Sequence, residues 1–340
     1  MASHRRPKQI TKSRARAGVI TAAAATAVAL GASTANAQPS ASSVKSKLDK
    51  LNEQAEAANE KYLGAQEKEK AGQKEVNRLQ DQVAAQQAKL NKLQDQIGQI
   101  AAAQYRSGGI DPTVQLMLST HPDQFLDKAQ AMDHLSAQQE EAVREMAAQK
   151  KVVDGKRQAA EAKLASLDKV TKQAASDKKD LQTKVHAAQK LLNSLTAQQR
   201  QQMQQQENSS AASSASKVTN VPASGRAGAA LAAAKAELGK PYVYGATGPG
   251  SFDCSGLMQW AWRAAGVSLP RTSQAQASAG TRIGSLSQAQ PGDLIVFYSG
   301  ASHVGMYVGN GMIIHAPHTG AVVRYESASV MPIYDIVRPG

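Results

Sequence analysis

Apolar residues recur every seven positions from residue 44 to residue 100, and the register of this repeat never slips. A sustained spacing of 3.5 residues is typical of coiled-coil helices, in which the apolar seam faces a partner helix. Only Glu69, Gly72 and Gln86 weaken the seams, so we expect the loosest packing there. One seam contains Leu48, Ala55, Tyr62, Glu69, Val76, Val83, Leu90 and Ile97, and the other contains Val44, Leu51, Ala58, Ala65, Gly72, Leu79, Gln86, Leu93 and Ile100.

The seven-residue spacing returns in a second segment, which runs from Phe125 to Leu195. Between the two segments stand Gly108-Gly109 and Pro112, which are residues that end helices. The pattern therefore predicts two long antiparallel helices joined by an elbow at 107–124.

The resulting helical coiled-coil hairpin is predicted to occupy residues 38–206. Its second helix is the longer one, and its end around Leu191–Gln206 has no counterpart in the first helix. We expect this overhang to contact another part of the protein. The Ser-, Ala- and Asn-rich tract that follows, 207–225, is predicted to be a flexible linker.

The last part of the chain, residues 226–340, has a different composition, with more Gly, Pro, Tyr and β-branched residues. Two helices are predicted here, at Ala227–Leu238 and Gly256–Ala265, and each is followed by Gly. Helices that precede a group of short strands indicate an α+β domain with an antiparallel sheet. The predicted strands are Asp293–Tyr298, His303–Val308, Met312–Ala316 and Ile333–Arg338.

The first 37 residues have the organisation of a secretory signal. Six basic residues and no acidic residue precede the apolar run Ala17–Ala32. Ala35-Asn36-Ala37 after it is a small-x-small cleavage site. We therefore expect residues 1–37 to be removed and the mature protein to be secreted.

The charge of the chain changes with that expectation. The formal net charge is +13, and it falls to +7 without the six basic residues of the signal. A mildly basic exported protein suits an anionic cell envelope. Nucleic acid is not an expected partner, because only 4% of the residues are aromatic and no basic stretch is interleaved with them.

Cys254 is the only cysteine of this chain. An exported protein normally pairs its cysteines in disulfides, so an unpaired thiol suggests a reactive nucleophile. Asp253 is placed to cap the helix that follows, which puts the thiol in the first helical turn. There the helix dipole predicts a depressed pKa for Cys254, and free backbone N–H groups can receive an oxyanion. With a single thiol and few acids nearby, we expect no metal and no cofactor.

Two histidines on predicted strands, His303 and His315, are the candidate base and orienting group. If Asn310-Gly311 forms a two-residue turn, the strands pair so that the two histidines lie on opposite faces. A three-residue loop over 309–311 shifts the pairing by one residue and makes them diagonal neighbours on one face. If both serve one site, the three-residue loop is the expected one.

A series of motifs in this region resembles the NlpC family of cell-wall cysteine peptidases. The motifs occur in family order and cover essentially all of residues 226–340. They are Gly239-Lys240-Pro241-Tyr242-Val243-Tyr244-Gly245, Asp253-Cys254-Ser255-Gly256-Leu257, Gln290-Pro291-Gly292-Asp293-Leu294, Ser302-His303-Val304-Gly305-Met306-Tyr307 and Ile314-His315-Ala316. The hairpin is similar, less specifically, to the helical segment of actinobacterial wall hydrolases.

This resemblance implies a papain-like α+β fold and cleavage of peptidoglycan stem peptides, usually between D-γ-glutamate and a diamino acid. It implies that Cys254 is the nucleophile, His303 the base and His315 the third polar group. Tyr242 matches the family tyrosine near the substrate and the oxyanion. Asp253 and Ser255 match the positions that hold the free amine end of the stem peptide. Tyr244 departs from the family pattern, which often has tryptophan there.

The sequence thus favours a secreted peptidoglycan endopeptidase with peptidoglycan stem peptides as its partners. The alternative is a non-catalytic envelope scaffold, or a stem-peptide-binding protein, that acts through its coiled coil. The long helical hairpin at 38–206, called the arm below, suggests regulation of the domain that follows it. The regulation is expected either by intramolecular restraint through the coiled coil or by a membrane-anchored activator. We expect the overhang with Leu191, Leu192 and Leu195 to cover the catalytic cleft.

Overall fold

A computed structural model of the protein describes residues 41–106, 114, 117, 125–218 and 223–340. The predicted signal at 1–37 falls outside the described residues, as does the predicted elbow at 107–124 apart from residues 114 and 117. In the part of the chain that is described, no helix is long and apolar enough to cross a membrane.

The predicted antiparallel hairpin is confirmed by two long helices, α1 (Ala41–Arg106) and α2 (Phe125–Asn193). Polar side chains also bond across the seam. Thr171 Oγ1 donates to Glu69 Oε1 over 3.0 Å, and Gln149 donates to the side chain of Gln86. Two of the expected weak layers are therefore cross-linked by hydrogen bonds. The seam buries Val44, Leu48, Ala55, Ala58, Ala65, Val76, Leu90, Val153, Ala160, Ala174, Leu181 and Ala188.

The far end of the hairpin differs from the prediction. Helix α2 ends at Asn193, and after a short break a separate helix, α3, spans Ala197–Lys217. Thr196 and Gln199 form a capping box at its start, in which each side chain accepts from the other residue's backbone N–H. The prediction of a flexible linker over 207–225 is wrong for its first eleven residues, which continue this helix. Their Ala- and Ser-rich sequence has no Gly or Pro to end a helix before that point.

The overhang does not cover the catalytic cleft as predicted. Leu195 and Met203 pack against Val44 and Leu48 of α1, and residues 191–192 join the same cluster. The break after α2 lets α3 return across the beginning of α1. The apolar side chains of the overhang therefore find their partners inside the hairpin.

The C-terminal part folds as the predicted α+β domain, with helices followed by one antiparallel sheet. Its sheet has the strand order β1-β6-β2-β3-β4-β5. Strands β1 and β5 were not predicted, because one has two residues and the other is only half buried. The helices are α4 (Gly225–Ala236), α5 (Cys254–Ala264) and the short α6 (Ser273–Gln276), with a 3-10 turn at Leu286–Gln288. The strands are β1 (Thr281–Arg282), β2 (Leu294–Phe297), β3 (His303–Gly309), β4 (Met312–His315), β5 (Arg324–Ser327) and β6 (Ile333–Arg338).

The two faces of the sheet have separate apolar clusters. Helices α4 and α5 pack on one face through Leu231, Leu257 and Trp262, against alternate residues of β2, β3 and β4. The other face carries a smaller cluster around Phe297 and Ile313. Because side chains alternate along a strand, the residues between the helix-facing positions are available to build a site on the second face.

The turn between β3 and β4 is neither of the two simple alternatives. Asn310-Gly311 forms a two-residue turn in which both residues have positive φ, and Gly309 pairs with Met312. A bulge then shifts the register, so that Tyr307 pairs with Ile313. Gly309 has φ +100°, which suits the glycine at that bulge. The extra residue brings His303 and His315 to one face, as a three-residue loop would have done.

Candidate active site

Cys254 is the first residue of α5, and its side chain is completely buried. Asp253 caps the helix as predicted, since its Oδ1 accepts from the N–H of Gly256 over 2.7 Å. A Cβ on Gly256 would lie 2.2 Å from the carbonyl oxygen of Ala246, so only glycine permits this close approach. The loop and the cap together fix the thiol at the positive end of the helix dipole.

The two predicted histidines are brought together beside the thiol. His303 Nε2 lies 2.8 Å from His315 Nδ1, and both rings are about 1% exposed. A ring nitrogen of His303 also lies within 4.8 Å of Cys254 Sγ. On the far side of the pair, His315 Nε2 lies 2.9 Å from Glu326 Oε2, within hydrogen-bond distance. The site is therefore a connected row of a thiol, two imidazoles and a carboxylate.

The three other predicted residues surround the thiol. Tyr242 is buried, and its hydroxyl points toward the same space as Cys254 and His303. Asp253 forms a buried ion pair with Arg271, whose Nη1 also donates to Ser255 Oγ over 2.8 Å. These polar groups are already satisfied by one another, so they form a rigid wall on one side of the site.

Helix α1 of the hairpin lies directly over this site. Glu56 Oε1 is 2.7 Å from Nδ1 of His303 and 3.5 Å from the hydroxyl of Tyr242, which donates to it. Glu60 Oε1 accepts from Ser255 Oγ over 2.8 Å and lies 3.8 Å from Cys254 Sγ. Both carboxylates come from the first helix, so the hairpin covers the predicted site residues with a different segment from the one predicted.

Further contacts hold α1 in this place. Glu60 Oε2 accepts from the backbone N–H of Ser273 over 2.7 Å, and Asn59 Nδ2 lies 3.5 Å from Asp253 Oδ2. Asn59 and Glu60 are each only 1% exposed. A cavity of about 370 Å³ lies between α1, α3 and the sheet, and its lining includes His315 and Glu326.

The cover changes the acidity of the site. Burial, together with the nearby Glu56, Glu60 and Asp253 carboxylates, raises the pKa of Cys254 well above its ordinary value. The predicted depressed pKa is therefore wrong for the chain with α1 in place. Burial and the charge of Asp253 also raise the pKa of Glu60 to about 7. The helix dipole is outweighed because three acidic groups surround a thiol that is shielded from water.

One trio of side chains presents donor atoms of the kind that a metal ion takes. The carboxylate of Glu56, the thiol of Cys254 and the ring of His303 lie within 4.8 Å of one another. Glu56 and His303 are nevertheless bonded directly to each other at 2.7 Å. We interpret the trio as an acid–base contact between the arm and the catalytic domain.

Sequence reasoning missed five polar residues of the site. Glu56, Asn59 and Glu60 lie one turn apart on a helix whose other polar residues are mostly exposed, and nothing in the heptads separates them from a solvated face. Glu326 and Arg271 lie on an unpredicted strand and in a loop. The sequence marks them only as charged residues, and their part in the site becomes visible only when the fold brings them beside the histidines and Asp253.

Comparison with known proteins agrees with this geometry. The sequence profile of the NlpC/P60 family matches residues 239–335, which include every predicted site residue. A probable endopeptidase of Corynebacterium glutamicum is 48% identical over 117 residues, which are 34% of this chain and 56% of that protein. A probable endopeptidase of Mycobacterium tuberculosis is 46% identical over 117 residues, covering 34% of this chain and 30% of that protein.

The probable endopeptidase p60 of Listeria monocytogenes is 52% identical over 99 residues, which are 28% of this chain and 20% of that protein. The matched region thus spans little more than half of the first relative and less of the other two. In all three, the match corresponds to about a third of this chain or slightly less. The part of this chain that is similar to the NlpC/P60 family is thus residues 239–335, which carry the thiol and both histidines.

Proposed function

We propose that this protein is a secreted peptidoglycan hydrolase that cuts stem-peptide amide bonds by a Cys–His–His mechanism. The observation that carries the proposal is the buried row of Cys254, His303 and His315 at a helix N-terminus, within a domain of a cysteine-peptidase family. The bond between D-γ-glutamate and a diamino acid is the proposed substrate. Such peptides are found in the wall outside the membrane, which agrees with the expected signal at 1–37.

The reaction follows from the geometry of these groups. His303 removes the proton of Cys254, and the thiolate attacks the amide carbonyl carbon. The backbone N–H groups at the start of α5 and the hydroxyl of Tyr242 receive the oxyanion. His303 then gives its proton to the leaving amine, which leaves a thioester on Cys254. Water, deprotonated by His303, attacks the thioester and releases a carboxylate and the thiol.

Recognition of the substrate is proposed for the wall of polar groups beside the thiol. Asp253 carries a negative charge next to Ser255, and both are candidates to bind the free amine end of a stem peptide. Glu60 now occupies the space in front of Ser255. A stem peptide can reach these groups only after α1 has moved.

We further propose that α1 restrains the enzyme. Glu56 bonds the nitrogen of His303 that must accept the thiol proton, and Glu60 Oε1 lies 3.8 Å from Cys254 Sγ. Both groups must leave before a substrate carbonyl can approach the thiol. Removal of the arm by a protease, or binding of the arm by a membrane-anchored partner, would activate the enzyme. The rival function, a non-catalytic scaffold, requires no such release.

The test compares Glu56→Ala with Glu56→Ala/Cys254→Ala, both in the full chain, on purified peptidoglycan. We expect the first chain to release soluble muropeptides with new free amines and the second to release none. Equal release by both chains, or no release by either, would contradict the enzymatic proposal. Binding of wall material without release would favour the scaffold.

A further inference from the structure

The two histidines do not end the row of polar groups on this face of the sheet. Glu326 on β5 pairs with Ile313, two residues before His315 on β4, so its side chain shares the face that carries both imidazoles. The distance from His315 Nε2 to Glu326 Oε2 is 2.9 Å. The proposed mechanism assigns roles to the thiol and to both histidines, and it leaves this carboxylate without one.

Glu326 is ionised in this setting. Burial acts to raise its pKa, but the hydrogen bond from His315 and the charge of Arg324 outweigh burial and lower it to about 2. Arg324 Nη2 donates to Glu326 Oε2 over 3.2 Å. An ionised carboxylate can only accept hydrogen bonds. The proton between the two groups therefore belongs to Nε2 of His315.

The position of that proton decides the state of the next ring. Burial lowers the pKa of His315 to about 4, so the ring is neutral and has a single proton. Since Nε2 carries it, Nδ1 of His315 is an acceptor. Nε2 of His303, 2.8 Å away, must then be the donor. A proton on Nδ1 is then the one shared with Glu56, and once α1 withdraws a neutral His303 has no proton on Nδ1.

Nδ1 is the nitrogen on which the proposed reaction depends. It is the atom that Glu56 of α1 now contacts, on the side of the ring away from His315. When α1 withdraws, Nδ1 is the ring nitrogen left free to accept the proton of Cys254. A His303 that already carried a proton there would be unable to act as the base.

We propose that Glu326 is a positioning residue, which fixes the tautomer of His315 and thereby makes Nδ1 of His303 the basic nitrogen of that ring once α1 has withdrawn. The inference deepens the proposed function and rests on it for the reaction, although the tautomer of His315 belongs to the resting chain. Without the carboxylate, His315 can carry its proton on its own Nδ1 and donate it to Nε2 of His303. The direction of the hydrogen bond between the two histidines is then reversed. In serine peptidases, the corresponding loss of tautomer control lowers kcat by about 10⁴.

Three variants of the full chain separate this role from simple packing. Glu326→Gln keeps the volume, but its amide N–H can donate to Nε2 of His315 and so support the reversed row. Glu326→Asp keeps the carboxylate. Glu207→Gln is the matched control, because Glu207 of α3 reaches only Arg324, at 3.7 Å, and does not touch the histidines.

The first readout is the tautomer of His315, measured by nitrogen-15 NMR of the histidine-labelled full chain and assigned with a His315→Asn chain. We expect a proton on Nε2 in the unsubstituted chain and in Glu207→Gln, and a substantial Nδ1-protonated population in Glu326→Gln. A proton on Nδ1 of His315 in the unsubstituted chain would overturn the proposal. So would an unchanged tautomer in Glu326→Gln.

The second readout is turnover of a soluble stem peptide in a Glu56→Ala background, which removes the contact of α1 with His303. We expect Glu326→Gln to lower kcat by at least tenfold with KM within twofold, and Glu326→Asp to recover most of the loss. Equal kcat values for Glu326→Gln and the parent would refute the positioning role. If the parent itself cleaves nothing, the proposed function fails, while the NMR result still decides whether Glu326 sets the tautomer.

Discussion

Replacement of Glu56 by alanine should activate the full-length protein. Glu56 lies on the long helix of the arm, outside the catalytic domain, and contributes no group to the proposed reaction. Its carboxylate nevertheless bonds Nδ1 of His303 at 2.7 Å inside a buried interface. The substitution leaves that nitrogen unpaired whenever the arm is in place. It therefore destabilises the covered state and leaves the uncovered state unchanged.

The size of the effect follows from the contact. A hydrogen bond to a charged group contributes about 1.5–3 kcal/mol, and a difference of about 1.4 kcal/mol is tenfold in an equilibrium constant. The uncovered population should therefore rise by about 10- to 100-fold. Turnover rises by the same factor as long as the covered form predominates.

The assay is the initial rate of hydrolysis of a soluble stem peptide by the full chain at pH 7.5. The matched control is Glu67→Ala, since Glu67 lies on the same helix but forms only an exposed ion pair with Lys70. The control should behave as the unsubstituted chain does. A rate for Glu56→Ala within twofold of the unsubstituted chain would show that the contact between Glu56 and His303 does not hold the enzyme in its covered state. An equal increase in the control would point instead to general loosening of the helix.

Three further predictions concern the same site. Iodoacetamide should alkylate Cys254 slowly at pH 8 in the unsubstituted chain and at least tenfold faster in Glu56→Ala, because the raised pKa and the burial both depend on the arm. Covering should weaken as pH rises, because Glu60 has a pKa of about 7 in the covered state against an ordinary value of 4.5. Glu60 therefore stabilises the covered state fully below pH 4.5. This stabilisation, on the order of 3 kcal/mol, is lost as the pH rises through 7. In the Glu56→Ala background, His303→Ala should lower turnover by about 10²–10⁴, and His315→Ala by less, since only the first removes the base.

Each of these predictions has its own control. Rapid alkylation of the unsubstituted chain would show that the thiol is not covered in solution. For the pH effect, Glu60→Gln should flatten the rise in activity between pH 5 and pH 8. The charged and titratable groups that interact with Glu60 are Asp253, Arg271 and Cys254, and they remain in that variant. An identical profile would assign the pH dependence to one of them. Equal residual rates for the two histidine variants would show that their roles are misassigned.

Local patterns were sufficient to predict the position of Cys254, the proposed nucleophile. An aspartate directly before an apolar helix is a capping signal, and it places Cys254 in the first turn wherever the helix lies. The heptad seams likewise determined the hairpin, because a buried stripe that repeats over 60 residues needs a partner helix. Both signals depend only on neighbours close in sequence.

The relation of the two histidines required more than a turn motif. Asn310-Gly311 correctly predicts a two-residue turn, yet that turn alone would have separated His303 from His315. The bulge at Gly309 reverses this outcome by adding one residue to β3. A bulge has a weak sequence signal, because a glycine next to a turn is compatible with several pairings.

The contact between arm and cleft could not be predicted from the sequence. Glu56 and Glu60 resemble any solvated positions of a coiled coil, and only the fold shows that they are buried beside a thiol nearly 200 residues away. The same long-range contact explains the error in the pKa of Cys254. A helix dipole is a local property, whereas the three carboxylates come from two parts of the chain.

The most direct test of the account is mass spectrometry of the products that the Glu56→Ala chain releases from a purified stem peptide containing D-γ-glutamate and a diamino acid. We expect one cut, which yields a fragment ending in glutamate and a fragment with a new free amine on the diamino acid. The products should be absent when Cys254 is replaced by alanine in the same chain. An intact substrate, or the same fragments from the Cys254→Ala chain, would contradict the claim that this covered thiol is the nucleophile of a stem-peptide endopeptidase.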